Sequence, residues 1–272
     1  MVAFHKKKMA TVLRAENLCK AFGAVTAASA INASIEKDSV VGLIGTNGAG
    51  KTTFINMITG YLKPDEGAIH YEGRDITRLQ PREITRLGIC RSFQIPQLYS
   101  SLSVEENMRV ALGIVLRNAG RGGFFSGGTA HVPGYDAPPH EVAERILERF
   151  GLLEYRDRNA QVLPGGVRKL LDIALTMAAK PRVLLLDEPT SGVSAEEKFG
   201  IMEMVLGAVR AEGATVLFVE HDMEIVSRFA QRVLAFYDGR IIADAAPEAA
   251  LADPEVKRFV VGRRDAGSRS RA

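Results

Sequence analysis

The sequence lacks the features of a membrane-spanning, secreted or fibrous chain. Its apolar runs, such as residues 183–186 and 215–219, fall far short of the roughly 18 residues that a spanning helix needs. Met1 to Lys8 carries three lysines with no apolar stretch behind them, so a secretory leader is not expected. Cysteine is nearly absent. Cys19 and Cys90 stand far apart, with no C-x-x-C and no Cys/His metal spacing, which argues against a disulfide framework or a zinc site and for packed thiols in a reducing compartment. Charge of one sign is also lacking: 35 basic against 32 acidic residues give +3. The excess gathers at the ends, at Lys6, Lys7 and Lys8 and at Arg258, Arg263, Arg264, Arg269 and Arg271. No basic face with interleaved aromatics appears, so no nucleic-acid partner is expected, and the tails read as solvated ends near anionic lipid. Sustained heptads are missing too, which removes a coiled coil. What remains, 272 residues with 46% hydrophobic and 25% charged, is the composition of an ordinary globular protein with one large or two small domains.

The organising stretch is residues 40–53, VVGLIGTNGAGKTT. A β-branched apolar run meets Gly45-Thr46-Asn47-Gly48-Ala49-Gly50-Lys51-Thr52, which fits G-x-x-x-x-G-K-[ST], and an apolar-periodic stretch from Phe54 to Ile58 follows: strand, phosphate loop, helix. Glycines let the backbone curl and turn successive N–H groups toward phosphate oxygens, and the helix N-terminus adds to the field. Lys51 is expected at the β- and γ-phosphates and the Thr52 hydroxyl on Mg²⁺, with Asn47, Gly48, Gly50 and Thr53 completing the nucleotide contacts.

Before the loop, β-like segments alternate with turns, and Phe22 lies beside Gly23. It is either a core residue or an adenine-stacking ring from an adjoining strand. His70 alternates with apolar neighbours and reads as a sheet-surface histidine. Residues 84–95 read as a short helix and a strand ending at Gln94, which is either polar filler or a residue facing nucleotide at the carboxyl edge of a sheet. Ser103 and Glu106 form a capping-box pattern for a helix to about Gly113. A Gly/Pro-rich loop to Pro139 is expected to be mobile or a contact surface, and an amphipathic helix over 140–153 ends at Gly151.

Two further buried strands end in polar chemistry. Residues 183–186 lead into Asp187-Glu188-Pro189-Thr190, where Asp187 is expected in the Mg²⁺ shell and Glu188 beside the attacking water. Residues 214–219 lead into Glu220-His221-Asp222, where His221 would hydrogen-bond a γ-phosphate and touch Glu188. Asp238-Gly239 marks a hairpin turn.

In this order the pieces resemble the nucleotide-binding subunit of an ABC transporter, over about residues 10–262. The likeness implies an α/β fold: a P-loop NTPase (RecA-like) core with an antiparallel β subdomain and an inserted helical subdomain. The divisions expected are an N-terminal extension over 1–10, core with β subdomain over 11–94, helical subdomain over 95–165, the rest of the core over 166–262 and a basic tail over 263–272. It further implies that Gly45 to Thr52 is the Walker A motif, Gln94 the Q-loop residue acting in catalysis and at Mg²⁺, Asp187 the end of Walker B, Glu188 the catalytic carboxylate and His221 the switch histidine. Arg91-Ser92-Phe93-Gln94, Ser103-Val104-Glu105-Glu106-Asn107, the glycine-rich insert and Glu220-His221-Asp222-Met223-Glu224 resemble, more narrowly, the ATPases of branched-chain amino acid importers.

The family's L-S-G-G-Q signature appears here as Leu163-Pro164-Gly165-Gly166-Val167. Proline removes the serine hydroxyl and an N–H, while Gly165 and Gly166 keep their donors. Ser194 stands where the family often has an acidic residue or asparagine. The resemblance implies ATP and Mg²⁺ as cofactors and two cassettes sandwiching two ATP molecules, so the partners are a second ATP-binding subunit in a hetero- or homodimer and two integral-membrane permease subunits. A periplasmic or extracellular solute-binding protein is reached indirectly, and the chain would sit peripherally on the cytoplasmic face of the inner membrane. The alternatives are a soluble non-transport ABC ATPase and a regulatory cassette with little turnover.

Overall fold

The computed structural model describes residues 10–92, 98–120 and 131–262. The chain divides into two compact units, residues 1–80 with 231–272, and residues 81–230.

In the first unit, β1 (Thr11–Phe22) and β2 (Val25–Glu36) form a long antiparallel hairpin that turns at Gly23. β4 (Glu66–Tyr71) pairs with the other edge of β1, and β5 (Arg74–Asp75) with β4, giving the order β2-β1-β4-β5. This is the antiparallel β subdomain, with Leu13, Leu18, Ile31, Ile35 and Ile69 buried along it. His70 faces Arg14 across the β1–β4 pairing and is only partly buried, as expected of a sheet surface.

β3 (Val40–Gly45) is buried at every position and runs parallel to β9 (Arg232–Tyr237), with Ile44 opposite Ala235. A strand buried on both faces reads as an unbroken apolar run rather than an alternation. β10 (Arg240–Ala245) returns antiparallel through Asp238 (φ 48°) and Gly239 (φ 73°), the paired positive φ of an Asp-Gly hairpin turn. α1 (Lys51–Ile58) spans only eight residues, too few to hold a helix alone. Tertiary packing secures it: Phe54, Ile55, Met57 and Ile58 are buried, and the Phe54 ring lies 5.6 Å from that of Phe236.

The second unit holds α2 (Pro81–Leu87) and three parallel strands in the order β8-β7-β6: β6 (Ile89–Arg91), β7 (Val183–Asp187) and β8 (Thr215–Val219). α6 (Lys198–Ala211) and α7 (Met223–Phe229) belong with them. Between β6 and β7 lie α3 (Val104–Asn118), α4 (Pro139–Arg149) and α5 (Gly165–Met177), packed on one another as the inserted helical part. The capping box forms: the Ser103 hydroxyl accepts from Glu106 N–H at 3.1 Å, and Ser103 N–H donates to Glu106 at 2.8 Å. α3 runs five residues past the expected Gly113 because a glycine inside a helix costs only about 1 kcal/mol against alanine, and Leu112 and Leu116 bury on either side of it.

Part of the Gly/Pro-rich loop is fixed. Residues 131–138 turn back so that Val132 and Tyr135 are buried, and the Tyr135 hydroxyl donates to the Met177 carbonyl at 2.6 Å. Its glycine-rich portion, 121–130, lies outside the described residues. Among the described residues no helix is long and apolar enough to cross a membrane.

Candidate functional site

The phosphate loop follows from the end of β3. Gly45 has φ 151°, and a Cβ there would lie 2.5 Å from the Phe236 carbonyl oxygen; at Gly50, φ 106°, it would lie 2.8 Å from the Ala27 carbonyl oxygen. Any side chain at either position would collide with backbone, so the loop can close only with glycine. Gly48, φ 79°, has nothing within 4 Å of such a Cβ, so this part of the loop backbone is open to approach. Lys51 is buried at 6% exposure, with its ammonium donating to the carbonyls of Gly45 at 2.7 Å and Thr46 at 3.1 Å. Thr52, in the first turn of α1, is exposed, and the first N–H groups of a helix have no partner within it. A cation at the centre of a glycine curl, with helix N–H groups beside it, is an anion cradle.

Phe22, at the tip of the β1–β2 hairpin, is 52% exposed. It is therefore not a core residue. Lys20 lies 5.8 Å over its ring and pairs with Asp65 at 2.5 Å.

In the second unit, the carboxyl ends of β7 and β8 bring the expected acids and histidine together. Glu188 sits at φ 47°, in the left-handed region that costs a non-glycine residue about 1–3 kcal/mol. Its N–H donates to the Val219 carbonyl at 3.1 Å, and its carbonyl accepts from Ser191 N–H at 3.0 Å, closing a turn around Pro189. His221 Nε2 lies 3.1 Å from Glu188 Oε1, the contact expected from the sequence. Asp187, nearly buried, is paired through its carboxylate with the Arg91 guanidinium at 2.5 Å, and its carbonyl accepts from Lys169 Nζ at 3.2 Å. Burial pulls the Lys169 pKa down, against the raising influence of Asp172 and Asp187.

Pro164 occupies the N-cap of α5 without any side-chain cap, and Gly165 and Gly166 open the helix. Gly165 packs so that a Cβ would lie 3.3 Å from the Gly192 carbonyl oxygen. Ser194 is engaged locally, its hydroxyl accepting from Glu197 N–H and donating to the Glu197 carboxylate. Gln94 lies outside the described residues.

Sequence reasoning left three participants without a role: Arg91 and Lys169 on Asp187, and Glu220, whose buried carboxylate accepts from both Thr190 N–H and the Thr190 hydroxyl. The usable signal for Glu220 was a carboxylate directly after an unbroken apolar strand. Arg91 and Lys169 carry no such local mark.

A phosphate loop at the end of a buried parallel strand, together with a second strand ending in Asp-Glu beside a histidine, defines the class of P-loop nucleoside triphosphatases. The ABC transporter family model matches residues 28–191, and the chain belongs to that family; it is an ATP-binding, ATP-hydrolysing cassette. It is 35% identical over 257 residues to LivG of Archaeoglobus fulgidus, named a probable branched-chain amino acid transport ATP-binding protein, covering 93% of this chain and 96% of that one. It is 34% identical over 254 residues to LivG of Escherichia coli, named a high-affinity branched-chain amino acid transport ATP-binding protein, covering 92% and 98%. A crystal structure of an ATP-binding cassette of an ABC transporter in its ADP conformation superposes with a TM-score of 0.76 at 33% identity, over 92% of this chain and 98% of that one. Its family places the chain among peripheral, dimerising subunits of membrane transporters.

Proposed function

We propose that this chain drives a branched-chain amino acid importer, as one of two ATPase subunits on the cytoplasmic face of two permease subunits fed by a solute-binding protein. The observation that carries the reading is the end-to-end likeness to LivG proteins, over more than nine tenths of both chains. The narrower motifs agree with it, notably Arg91-Ser92-Phe93-Gln94 and Glu220-His221-Asp222.

In this reading the curl of Gly45 to Lys51 takes the phosphates of ATP, Phe22 stacks on the base, and Glu188 polarises the attacking water while His221 holds the γ-phosphate. Magnesium prefers hard oxygen ligands, and a threonine hydroxyl, an aspartate carboxylate and a glutamine carbonyl are what Thr52, Asp187 and Gln94 would offer it. Bound there, the ion would neutralise developing phosphate charge.

Pro164 gives the reading its asymmetry. At the start of α5 it offers neither a hydroxyl nor an N–H, so the signature this chain lends to a partner is weaker than its own phosphate loop. A heterodimer with a different ATPase subunit then has one sound site and one poor one.

The test is purification of the chain from detergent-solubilised membranes of its source, followed by reconstitution of what co-purifies. Two polytopic proteins and a second cassette, with ATPase stimulated by leucine, isoleucine or valine through the solute-binding protein, support the proposal. Recovery of the chain alone or with nucleic acid, or stimulation only by an unrelated solute, refutes it.

A further inference from the structure

Glu220 is a buried acid with no part in the chemistry above, yet it touches both segments that carry it. Its Oε1 accepts from the Thr190 backbone N–H at 3.0 Å and from the Thr190 hydroxyl at 2.7 Å; its Oε2 accepts from the His221 N–H at 3.2 Å. The residue is 4% exposed, so these bonds form largely out of water, where a polar group without a partner is costly.

The turn after Glu188 explains the need. Glu188 carbonyl to Ser191 N–H closes it, with Pro189 and Thr190 at its centre. The N–H of the third residue of such a turn has no partner within the turn, and Thr190 is buried. Glu220 supplies the missing acceptor. Because Glu188 itself sits at φ 47°, a conformation that persists only when its surroundings over-determine it, the anchor at Thr190 also fixes the direction of the Glu188 side chain. The bond to His221 N–H fixes the start of the second segment, and the imidazole then meets Glu188 at 3.1 Å. Glu220 is among the acids that favour the charged forms of Lys169 and Lys198.

We infer that Glu220 is a positioning residue for ATP hydrolysis, clamping the Glu188 turn to the His221 segment through Thr190 and so holding carboxylate and imidazole in register. This rests on the proposed roles of Glu188 and His221. It predicts that Glu220 acts on the chemical step and leaves nucleotide binding, which belongs to the phosphate loop, untouched.

The experiment measures kcat and KM for ATP, with thermal unfolding as a check on folding, for Glu220→Ala, Glu220→Gln, Thr190→Val and Glu188→Gln in the purified full chain. Misplacement of a catalytic group by about 1 Å costs on the order of 100-fold, so Glu220→Ala should lose about 10- to 100-fold in kcat with KM within about 3-fold. Glu220→Gln keeps an oxygen for both Thr190 donors but turns its NH2 toward the His221 N–H that Oε2 accepted, so its kcat should fall between that of Glu220→Ala and the parent. Should Glu220→Ala show no cooperative unfolding, Thr190→Val carries the test, since it deletes only one donor; its kcat should fall about 3- to 10-fold at constant KM. Unchanged kcat in Glu220→Ala, a proportional loss of kcat and ATP affinity, or a glutamine as damaging as alanine overturns the inference. Glu188→Gln separates the two claims: if it keeps its activity, the role of Glu188 itself falls; if it is inactive while Glu220→Ala is not, only the clamp falls.

Discussion

Replacing Arg91 by alanine should destabilise the protein strongly, by stranding the Asp187 carboxylate. The pair is short, 2.5 Å, and each side chain is only 11% exposed. Removing one partner of a fully buried ion pair costs about 3–5 kcal/mol, because the remaining charge has lost both water and counter-ion. Two features reduce that here: the residual exposure, and Lys169, whose ammonium bonds the Asp187 carbonyl at 3.2 Å. The expected loss is therefore about 2–4 kcal/mol, or roughly 5–15 °C in melting temperature for a chain of this length. Urea unfolding of the parent, Arg91→Ala, Asp187→Asn and the double variant closes a thermodynamic cycle. The double variant removes both charges together, so it should be less destabilised than the sum of the singles by at least about 1.5 kcal/mol. An Arg91→Ala variant within about 0.5 kcal/mol of the parent, or strictly additive singles, would refute the reasoning.

Pro164→Ser restores a hydroxyl and an N–H at the start of α5; ATPase of the purified chain should rise roughly 3- to 30-fold, and an unchanged rate removes the asymmetry argument. The Arg156 guanidinium hydrogen-bonded to Glu105, with Arg109 close by, holds that carboxyl below its ordinary value of 4.5. As the pH falls the unfolded chain takes up this proton first, so the stabilisation is present above about 4.5 and fades through the lower folded value. Urea midpoints of Glu105→Gln should accordingly fall less steeply below pH 5 than those of the parent, and parallel curves would count against the pairing. Burial pushes the Cys90 thiol up to about 12, leaving only about one part in 10⁴ as thiolate at pH 8. An aromatic disulfide reagent should label Cys90 only in denaturant; rapid labelling of Cys90 in the native protein would contradict the burial of β6.

Legibility in the sequence followed the range of each interaction. The phosphate loop was readable because its chemistry is local: glycines, lysine and threonine act through the backbone curl they themselves make, and clashes of 2.5 and 2.8 Å at Gly45 and Gly50 show why no other residue serves there. The capping box at Ser103 and the Asp238-Gly239 turn were local in the same sense. Strand ends were readable at one remove, since an apolar run followed by Asp-Glu or His announces both a buried strand and an edge where polar groups can meet. The contact of His221 with Glu188 followed from that logic across 33 residues of chain. What could not be read were bonds whose two members carry no mutual mark. Arg91 and Asp187 are 96 residues apart, and nothing in either neighbourhood names the other. Phe22 was left open because a phenylalanine beside glycine suits a core or a surface equally, and only its exposure at the hairpin tip decides. Glu220 lies between these cases. Its position after β8 marked it as polar at an edge, but its partner is a backbone N–H that becomes orphaned only once Pro189 and Thr190 turn. A buried carboxylate is understood from what would be left without an acceptor in its absence, and that quantity exists only in the folded chain. The strained backbone of Glu188 therefore argues for Glu220 more strongly than any pattern of residue types: a costly conformation at a reacting group needs an identifiable restraint, and this carboxylate supplies one.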